Sequence, residues 1–497
     1  MGALGDLREY VREIGELHGA TALAAWDQRT HMPDKGAEAR AKVLGRLERM
    51  AFERTISDRM GELLARAEAE AQGASVVDQA LVREWKRRYT RYKAVPPDFY
   101  QKFVETCTRA EVVWEKAKAA SDFPMFRPHL AEVVDMVREL ARFIGYKDSP
   151  YNALVEEFEP GMTTDKLRQV LGGLREDLVP FLKELTDRGR PPELLPPGKF
   201  PVESQRALCR EALQAIGYDF AAGRLDDSVH PFTIGIGPGD TRVTNRYRED
   251  DPLPALFGAL HEGGHALYDQ GIAPELAWSG LDGGASFGIH ESQSRFWENQ
   301  IGRSLAFWRF FRSKVVRRFR SLAKLTAEDF WRAANHAQPG FIRVDADEVT
   351  YNLHICLRFE LELDLIEGRL KVDDLPERWN RAMKDYLGIV PPDDRRGVLQ
   401  DVHWSGGSFG YFPSYTLGNL YAAQFTHAAI QDIPEFWDLA TSGNFTPILS
   451  WLREKIHRHG RVYLPEDLAR AVTGQGLSPR PFLQYVKEKY RAVYDLA

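Results

Sequence analysis

The sequence predicts a mostly α-helical protein with one small antiparallel sheet near its middle. Three observations carry that prediction. Apolar residues recur at three- and four-residue spacing through most of the 497 positions. Strand-like alternation is confined to the stretch 228–247. Breaks rich in Pro and Gly are few.

Ala, Glu, Arg and Leu at helical spacing fill 36–71, 76–90 and 98–119, then 164–187, 203–216, 294–323, 357–369 and 376–387. Helices are also expected at 434–443, 445–458, 464–473 and 479–495. Mixed charge on their faces reads as solvated surface. The sheet is expected from SVHPFTIGIGPGDTRVTNRY, where β-branched residues alternate around a Gly-Pro-Gly turn. Arg190 to Pro201 and Gly388 to Asp394 are connections, neither long nor polar enough for a flexible linker. With no internal repeat, one domain over 1–497 is expected. Its first part, 1–200, is mainly helical, and 201–497 carries the chemical motifs.

Hydrophobic residues make up 43% and charged residues 28%, which excludes disorder. A formal charge of −6 over this length gives no reason to expect nucleic acid or an anionic membrane as partner. Cys107, Cys209 and Cys356 are too sparse for a disulfide framework and read as buried thiols in a reducing compartment. The N-terminus is charged and amphipathic, without the apolar run of a signal peptide. Asp6 breaks the myristoylation pattern. No stretch approaches the roughly 20 apolar residues of a membrane span. A cytoplasmic protein is expected.

The strongest motif is His261-Glu262-Gly263-Gly264-His265, on a helix whose apolar face carries Leu256, Phe257, Leu260 and Leu267. Residues four apart lie on one side of a helix, about 5–6 Å from each other. Two imidazoles so spaced can point at one ion. Glu262, turned by about 100°, can sit beside the metal's water as a general base without being a ligand. A pair of surface histidines is the ordinary alternative, and the two glycines weigh against it. Each costs about 1 kcal/mol in a helix interior, so another segment or a substrate is expected to approach the backbone there. A catalytic site of this kind takes a third protein ligand. His290-Glu291-Ser292-Gln293-Ser294-Arg295 offers two, Glu291 and His290, of which Glu291 is preferred. On a helix it shares a face with Arg295, which can orient its carboxylate. His290 would then support the site from behind or simply pack.

The chain as a whole resembles the carboxypeptidase Taq family of thermostable-type metallocarboxypeptidases. The resemblance rests on motifs in order: Trp26-Asp27-Gln28 with Met32-Pro33, His230-Pro231-Phe232, Asp240-Thr241-Arg242-Val243-Thr244, the HEGGH helix, His290-Glu291-Ser292-Gln293, Ile342-Arg343-Val344-Asp345-Ala346-Asp347, and Gly397 to Trp404 (GVLQDVHW). It implies a single large helical, saddle-like fold with a deep groove. It also implies removal of single residues from peptide C-termini, a homodimer, and Glu291 as third ligand. The implied cofactor is one Zn2+ per chain, with Co2+ able to substitute.

Peptide hydrolysis also needs donors for the oxyanion. The Gly-rich segment from His403 to Tyr415 carries one His and two Tyr. Its ordinary reading is a loop with half-buried rings. The resemblance implies Tyr415 as the oxyanion phenol, with Tyr411 as the other choice, and His403 as a substrate-binding donor. An exopeptidase must read a free carboxylate, which a guanidinium does best. Arg343 is the choice, although Asp345, Asp347 and Glu348 nearby offer it an ordinary ion pair. Arg242, on a strand expected at a sheet edge, is a second candidate. His230 is a substrate contact or a packed histidine. His336 and His354 read as structural.

Two other functions compete: a metallo-oligopeptidase or dipeptidyl carboxypeptidase, and a non-catalytic peptide-binding protein. The intact Glu262 argues against the latter, since binding needs no base.

Overall fold

The computed structural model describes residues 2–496. Among them are twenty α-helices and one three-stranded sheet, so the expected fold class holds. Helix boundaries follow capping chemistry where periodicity ran through. The run 36–71 is two helices, Ala37–Thr55 and Asp58–Ala71. Ser57 starts the second by accepting from the Met60 amide. The run 294–323 is also broken. Helix Phe287–Arg295 passes into a π-helical turn, Phe296–Gly302. A new helix, Leu305–Arg318, begins where Ser304 accepts from the Phe307 amide.

Three long helices lie outside the runs read from sequence: Ala3–Thr30, Phe123–Ile144 and Phe412–Asp432. Phe123–Ile144 has Pro at its first turn and Pro128 inside, residues that normally mark breaks. Phe412–Asp432 is buried on nearly all sides up to Phe425, so no polar face draws an amphipathic stripe.

The sheet contains β1 (Leu225–Asp227), β2 (Thr233–Gly237) and β3 (Asp240–Asn245) in the order β1-β3-β2. β2 and β3 form the expected hairpin, turned at Gly239 with φ 78°. β1 joins β3 in parallel, so the sheet is mixed rather than wholly antiparallel. Leu225-Asp226-Asp227 is too short and polar to read as a strand from sequence. Its pairing also makes β3 the central strand, which corrects the expectation that Arg242 lies on an edge.

The chain forms two compact units. One comprises Met1–Tyr92, Leu194–Ala334 and Tyr421–Leu477, the other Lys93–Glu193, Asn335–Leu420 and Ser478–Ala497. Each draws segments from both sides of residue 200. In the first, Leu7, Val11 and Ile14 of helix Ala3–Thr30 join Leu63, Leu81 and Trp85 in one apolar core. This unit also holds the sheet and the HEGGH helix, Leu253–Gly271. In the second, helix Thr350–Ile366 is buried along its length and packs on helices Thr164–Arg188 and Leu375–Leu387. No described helix is long and apolar enough to cross a membrane.

Candidate metal centre

The HEGGH helix is positioned by its glycines. A Cβ on Gly264 would fall on the backbone of Gln293 and Ser294, in helix Phe287–Arg295. One on Gly263 would run into Leu213 and Ile216 of helix Val202–Ile216. The backbone approach expected at these glycines is therefore made by two neighbouring helices. Close approach on the Gly264 side brings Glu291 opposite the two histidines.

His261, His265 and Glu291 each turn one ligand atom into a common space, all within 4.8 Å of one another. Glu291 Oε2 lies 3.6 Å from His261 Nε2 and 3.2 Å from His265 Nε2. Donors bound tetrahedrally at zinc-type bond lengths stand about 3.3 Å apart. Two imidazoles and one carboxylate, so spaced, fit a borderline divalent ion better than Ca2+ or Mg2+, which take oxygen ligands.

Each of the three candidate ligands is oriented from behind. His261 Nδ1 lies 2.8 Å from Glu298 Oε2. His265 Nδ1 lies 2.6 Å from His290 Nδ1, and His290 Nε2 lies 2.9 Å from Asp269 Oδ1. A consistent proton assignment has His261 donating to Glu298, His265 to His290, and His290 to Asp269. That leaves both Nε2 lone pairs for the ion. Arg295 Nε donates to Glu291 Oε1 at 2.8 Å, as the helical spacing implied, and Arg295 Nη1 donates to Glu298 at 3.1 Å. Arg303 donates to the other Glu298 oxygen at 3.2 Å.

These neighbours set the ionisation. Burial alone would raise Glu291, but the Arg295 guanidinium and the two imidazoles hold it well below the ordinary carboxylate range. Glu298 is likewise held down against burial by Arg295, His261 and Arg303. Burial lowers His265, helped by His290 and His261. His261 is raised despite burial, because Glu291 and Glu298 face it.

Glu262 lies on the same helix, buried, with Thr233 Oγ1 of β2 donating to its Oε2 at 2.7 Å. The same hydroxyl lies 2.8 Å from the Glu262 carbonyl oxygen, so its one proton serves either the helix backbone or the carboxylate. His230 is exposed between β1 and β2, its carbonyl accepting from Ser228 at 2.7 Å. Arg242 donates twice to Asp240, at 2.8 and 2.7 Å, and lies 4.3 Å over the Trp26 ring. Among the described residues no hydrogen bond or ion pair links either one to the metal set.

The second unit gathers the other predicted residues into one buried cluster. Arg343 Nε and Nη2 donate to Asp401 Oδ1 at 3.0 and 2.9 Å, and Nη1 donates to the Tyr351 hydroxyl at 3.1 Å. None of Asp345, Asp347 and Glu348 takes it. Asp347 instead accepts the Val349 and Thr350 amides at the start of the next helix. Arg358, fully buried, donates to the other Asp401 oxygen at 2.7 Å. Two guanidiniums therefore share one carboxylate. Arg343 lies 4.9 Å over the Tyr415 ring, and the Tyr415 hydroxyl is 3.4 Å from His403 Nε2. Tyr411 packs edge-on against Tyr415 at 5.2 Å. Burial, with Arg343 and Arg358 assisting, pushes His403 down to about 4, so it is neutral near pH 7. The Gly-rich segment ends in a helix, not a loop: Tyr415 stands in the first turn of Phe412–Asp432. His354 is fully buried, and burial pushes it down to about 3. His336 is half-buried.

Sequence reasoning missed Thr233, Asp269, Glu298, Tyr351, Arg358 and Asp401 as supporting residues. Asp269 continues the four-residue spacing of His261 and His265, and Glu298 stands seven beyond Glu291, so helical spacing could have found both. Nothing local ties Thr233 to Glu262, or Arg358 and Tyr351 to Arg343.

The family model for carboxypeptidase Taq (M32) metallopeptidases matches residues 6–490. The chain is 44% identical to thermostable carboxypeptidase 1 of Thermus thermophilus, over 99% of both chains. It is 42% identical to carboxypeptidase 1 of Bacillus subtilis, over 98% of both. Among solved structures, an M32 carboxypeptidase from Deinococcus radiodurans R1 superposes with a TM-score of 0.96 at 36% identity, covering 99% of this chain and 100% of that one. A Pyrococcus furiosus carboxypeptidase does so with a TM-score of 0.95 at 35% identity, over 99% of both. The chain belongs to the carboxypeptidase Taq (M32) metallopeptidase family.

Proposed function

We propose that the protein removes single amino acids from the free C-termini of peptides, with the ion held by His261, His265 and Glu291 and with Glu262 as general base. The observation that carries the reading is the convergence of those three ligand atoms, two of them from the helix that also bears the buried Glu262. The ion we assign is zinc, one per chain, with cobalt as a substitute, on the strength of the two-imidazole, one-carboxylate donor set. When bound, such an ion supplies Lewis-acid polarisation and makes water acidic enough to give up a proton near neutrality.

The residues of the chain do the rest. Glu262 takes the proton from the attacking water and passes it to the leaving amine. Thr233 leaves Oε1 of Glu262 free for that transfer. Tyr415 donates its phenol proton in a hydrogen bond to the developing oxyanion, and His403, kept neutral, donates to the substrate backbone. Tyr411 holds the Tyr415 ring. Arg343 reads the terminal carboxylate: sharing Asp401 with Arg358 leaves it charge and N–H groups to offer. Arg242 and His230 are assigned to the substrate's remaining residues. In this reading the protein is a cytoplasmic homodimer. Its three free, buried cysteines suit a reducing compartment.

A digestion time course read by mass spectrometry tests the proposal. A ladder losing one C-terminal residue at a time, stopped by chelator and restored by zinc or cobalt, is expected. Metal-dependent internal cuts or released dipeptides would move the protein to the oligopeptidases. Peptide binding with no cleavage under any metal would leave a binding protein.

A further inference from the structure

Apart from the three candidate ligand atoms, the first unit carries an open-mouthed cavity of about 610 Å³. That is within the usual range for small-molecule pockets, roughly 300–1,000 Å³. It is walled by helix Ala3–Thr30, the turn after β2, helix Val76–Lys93, the end of the HEGGH helix and the chain around Arg453 and Arg461. Trp85 and Trp278 supply aromatic surface.

The cations on this wall have unused donors. Neither Arg453 nor Arg461 has a hydrogen-bond acceptor or an ion-pair partner for its guanidinium among the described residues, and the Nε of each is buried. Arg88 gives one bond, to the Gly280 carbonyl at 3.1 Å. Glu84 faces Arg88 and Arg461 but is already paired with Arg83 and Arg87 at 3.5 and 3.2 Å. Burial, with Arg461 close by, pushes Arg88 down to about 10. Buried guanidiniums so placed are stabilised by an anion.

Three carboxylates line the cavity, and they differ: Asp219 takes the Ala221 amide on Oδ1 at 2.8 Å, and its Oδ2 has no hydrogen-bond partner among the described residues. Asp282 places both oxygens on the Trp278 and Gly280 amides, at 2.7 and 3.1 Å. Asp269 gives Oδ1 to His290, and its Oδ2 has no hydrogen-bond partner among the described residues. A simple inorganic anion would leave that oxygen unmatched. A molecule with a carboxylate, an ammonium group and an apolar side chain matches the three arginines, the Asp269 oxygen and the two tryptophans.

We propose that this cavity binds a free α-amino acid, its carboxylate on Arg88, Arg453 and Arg461, its ammonium on Asp269 Oδ2, and its side chain against Trp85 and Trp278. The ligand is of the class that the proposed reaction releases, and its regulatory meaning rests on that reading. Asp269 is bonded to His290, and His290 to the ligand His265. Occupancy therefore acts on the metal centre through two hydrogen bonds, as product feedback from a second site.

Isothermal titration of the zinc-loaded protein tests the binding without reference to turnover. The probes are L-phenylalanine, phenethylamine, N-acetyl-L-phenylalanine and inorganic phosphate. L-Phenylalanine is expected to bind at least tenfold more tightly than the other three. That binding should survive Arg343→Ala and weaken at least tenfold in Arg461→Gln. Arg88→Gln is the second variant should Arg461→Gln fail to fold. In steady-state assays, added L-phenylalanine should lower kcat, and Arg461→Gln should remove that effect while keeping the basal rate. Unchanged binding in both arginine variants would overturn the proposal, as would phosphate binding as tightly as the amino acid. Inhibition confined to KM would overturn the feedback. A protein that binds the amino acid but cleaves no peptide would keep the site and lose the carboxypeptidase reading.

Discussion

The metal centre of the first unit and the arginine cluster of the second are built to opposite sign. Around the two ligand imidazoles stand Glu262, Glu291, Glu298 and Asp269, with Arg295 and Arg303 as the cations. Two negative charges are left over, which a divalent cation neutralises. In the other cluster Arg343 and Arg358 share Asp401, leaving one positive charge, which a carboxylate neutralises. Buried charge of one sign thus points to a ligand of the other. A buried group keeps its charge when partners and ligand together balance it.

The largest effect is expected of Glu262→Gln. It removes the base and keeps the ligands, so kcat should fall roughly 10²–10⁴-fold while metal content per chain, read by elemental analysis, stays at one. Retained turnover would end the base assignment. Next is Arg343→Ala, which should raise KM roughly 30- to 100-fold, about 2–3 kcal/mol, for peptides with a free C-terminus. Matched amidated peptides should change far less. Equal effects on both would mean that the spare positive charge does not read a carboxylate.

Glu298→Gln sharpens the other side. It leaves His261 a hydrogen-bond partner but removes one negative charge, and metal affinity should drop roughly 10- to 100-fold in chelator competition. An unchanged affinity would show that the balance of charge behind the ligands is irrelevant.

A last effect concerns His354, which burial pushes down to about 3 from an ordinary value of 6.5. The folded state resists its protonation, and the unfolded chain takes the proton below 6.5. Its stability contribution is therefore present above that pH and declines as pH falls from 6.5 toward 3. By about pH 5 the loss is on the order of 2 kcal/mol. Thermal denaturation of His354→Leu should show a shallower acid slope over this window; parallel curves would refute it.

The two clusters also differ in how far they could be read. His261, Glu262, His265 and Glu291 lie on helices, where fixed spacing converts sequence offset into direction, so the clustering of His261, His265 and Glu291 followed from position. Even Asp269 obeys that spacing. The arginine cluster joins residues 343, 351, 358, 401 and 415, so no local geometry predicts that Asp401 takes Arg343 in place of the nearer Asp345. Family resemblance pointed to Arg343, His403 and Tyr415. It left Arg358 and Tyr351 unseen.

The helical fold class, the hairpin and the candidate metal set of His261, His265 and Glu291 were legible in the sequence, because these depend on periods of 3.6 and 2 residues along one chain. Tertiary structure decided the rest. It put β1 beside β3, hid helix Phe412–Asp432 inside the protein, and set the backbone of Gln293 and Ser294 against Gly264. It also paired Thr233 with Glu262 and left Arg453 and Arg461 without partners. Each of these is a contact between distant segments, and packing chooses such contacts by shape and charge across the whole core.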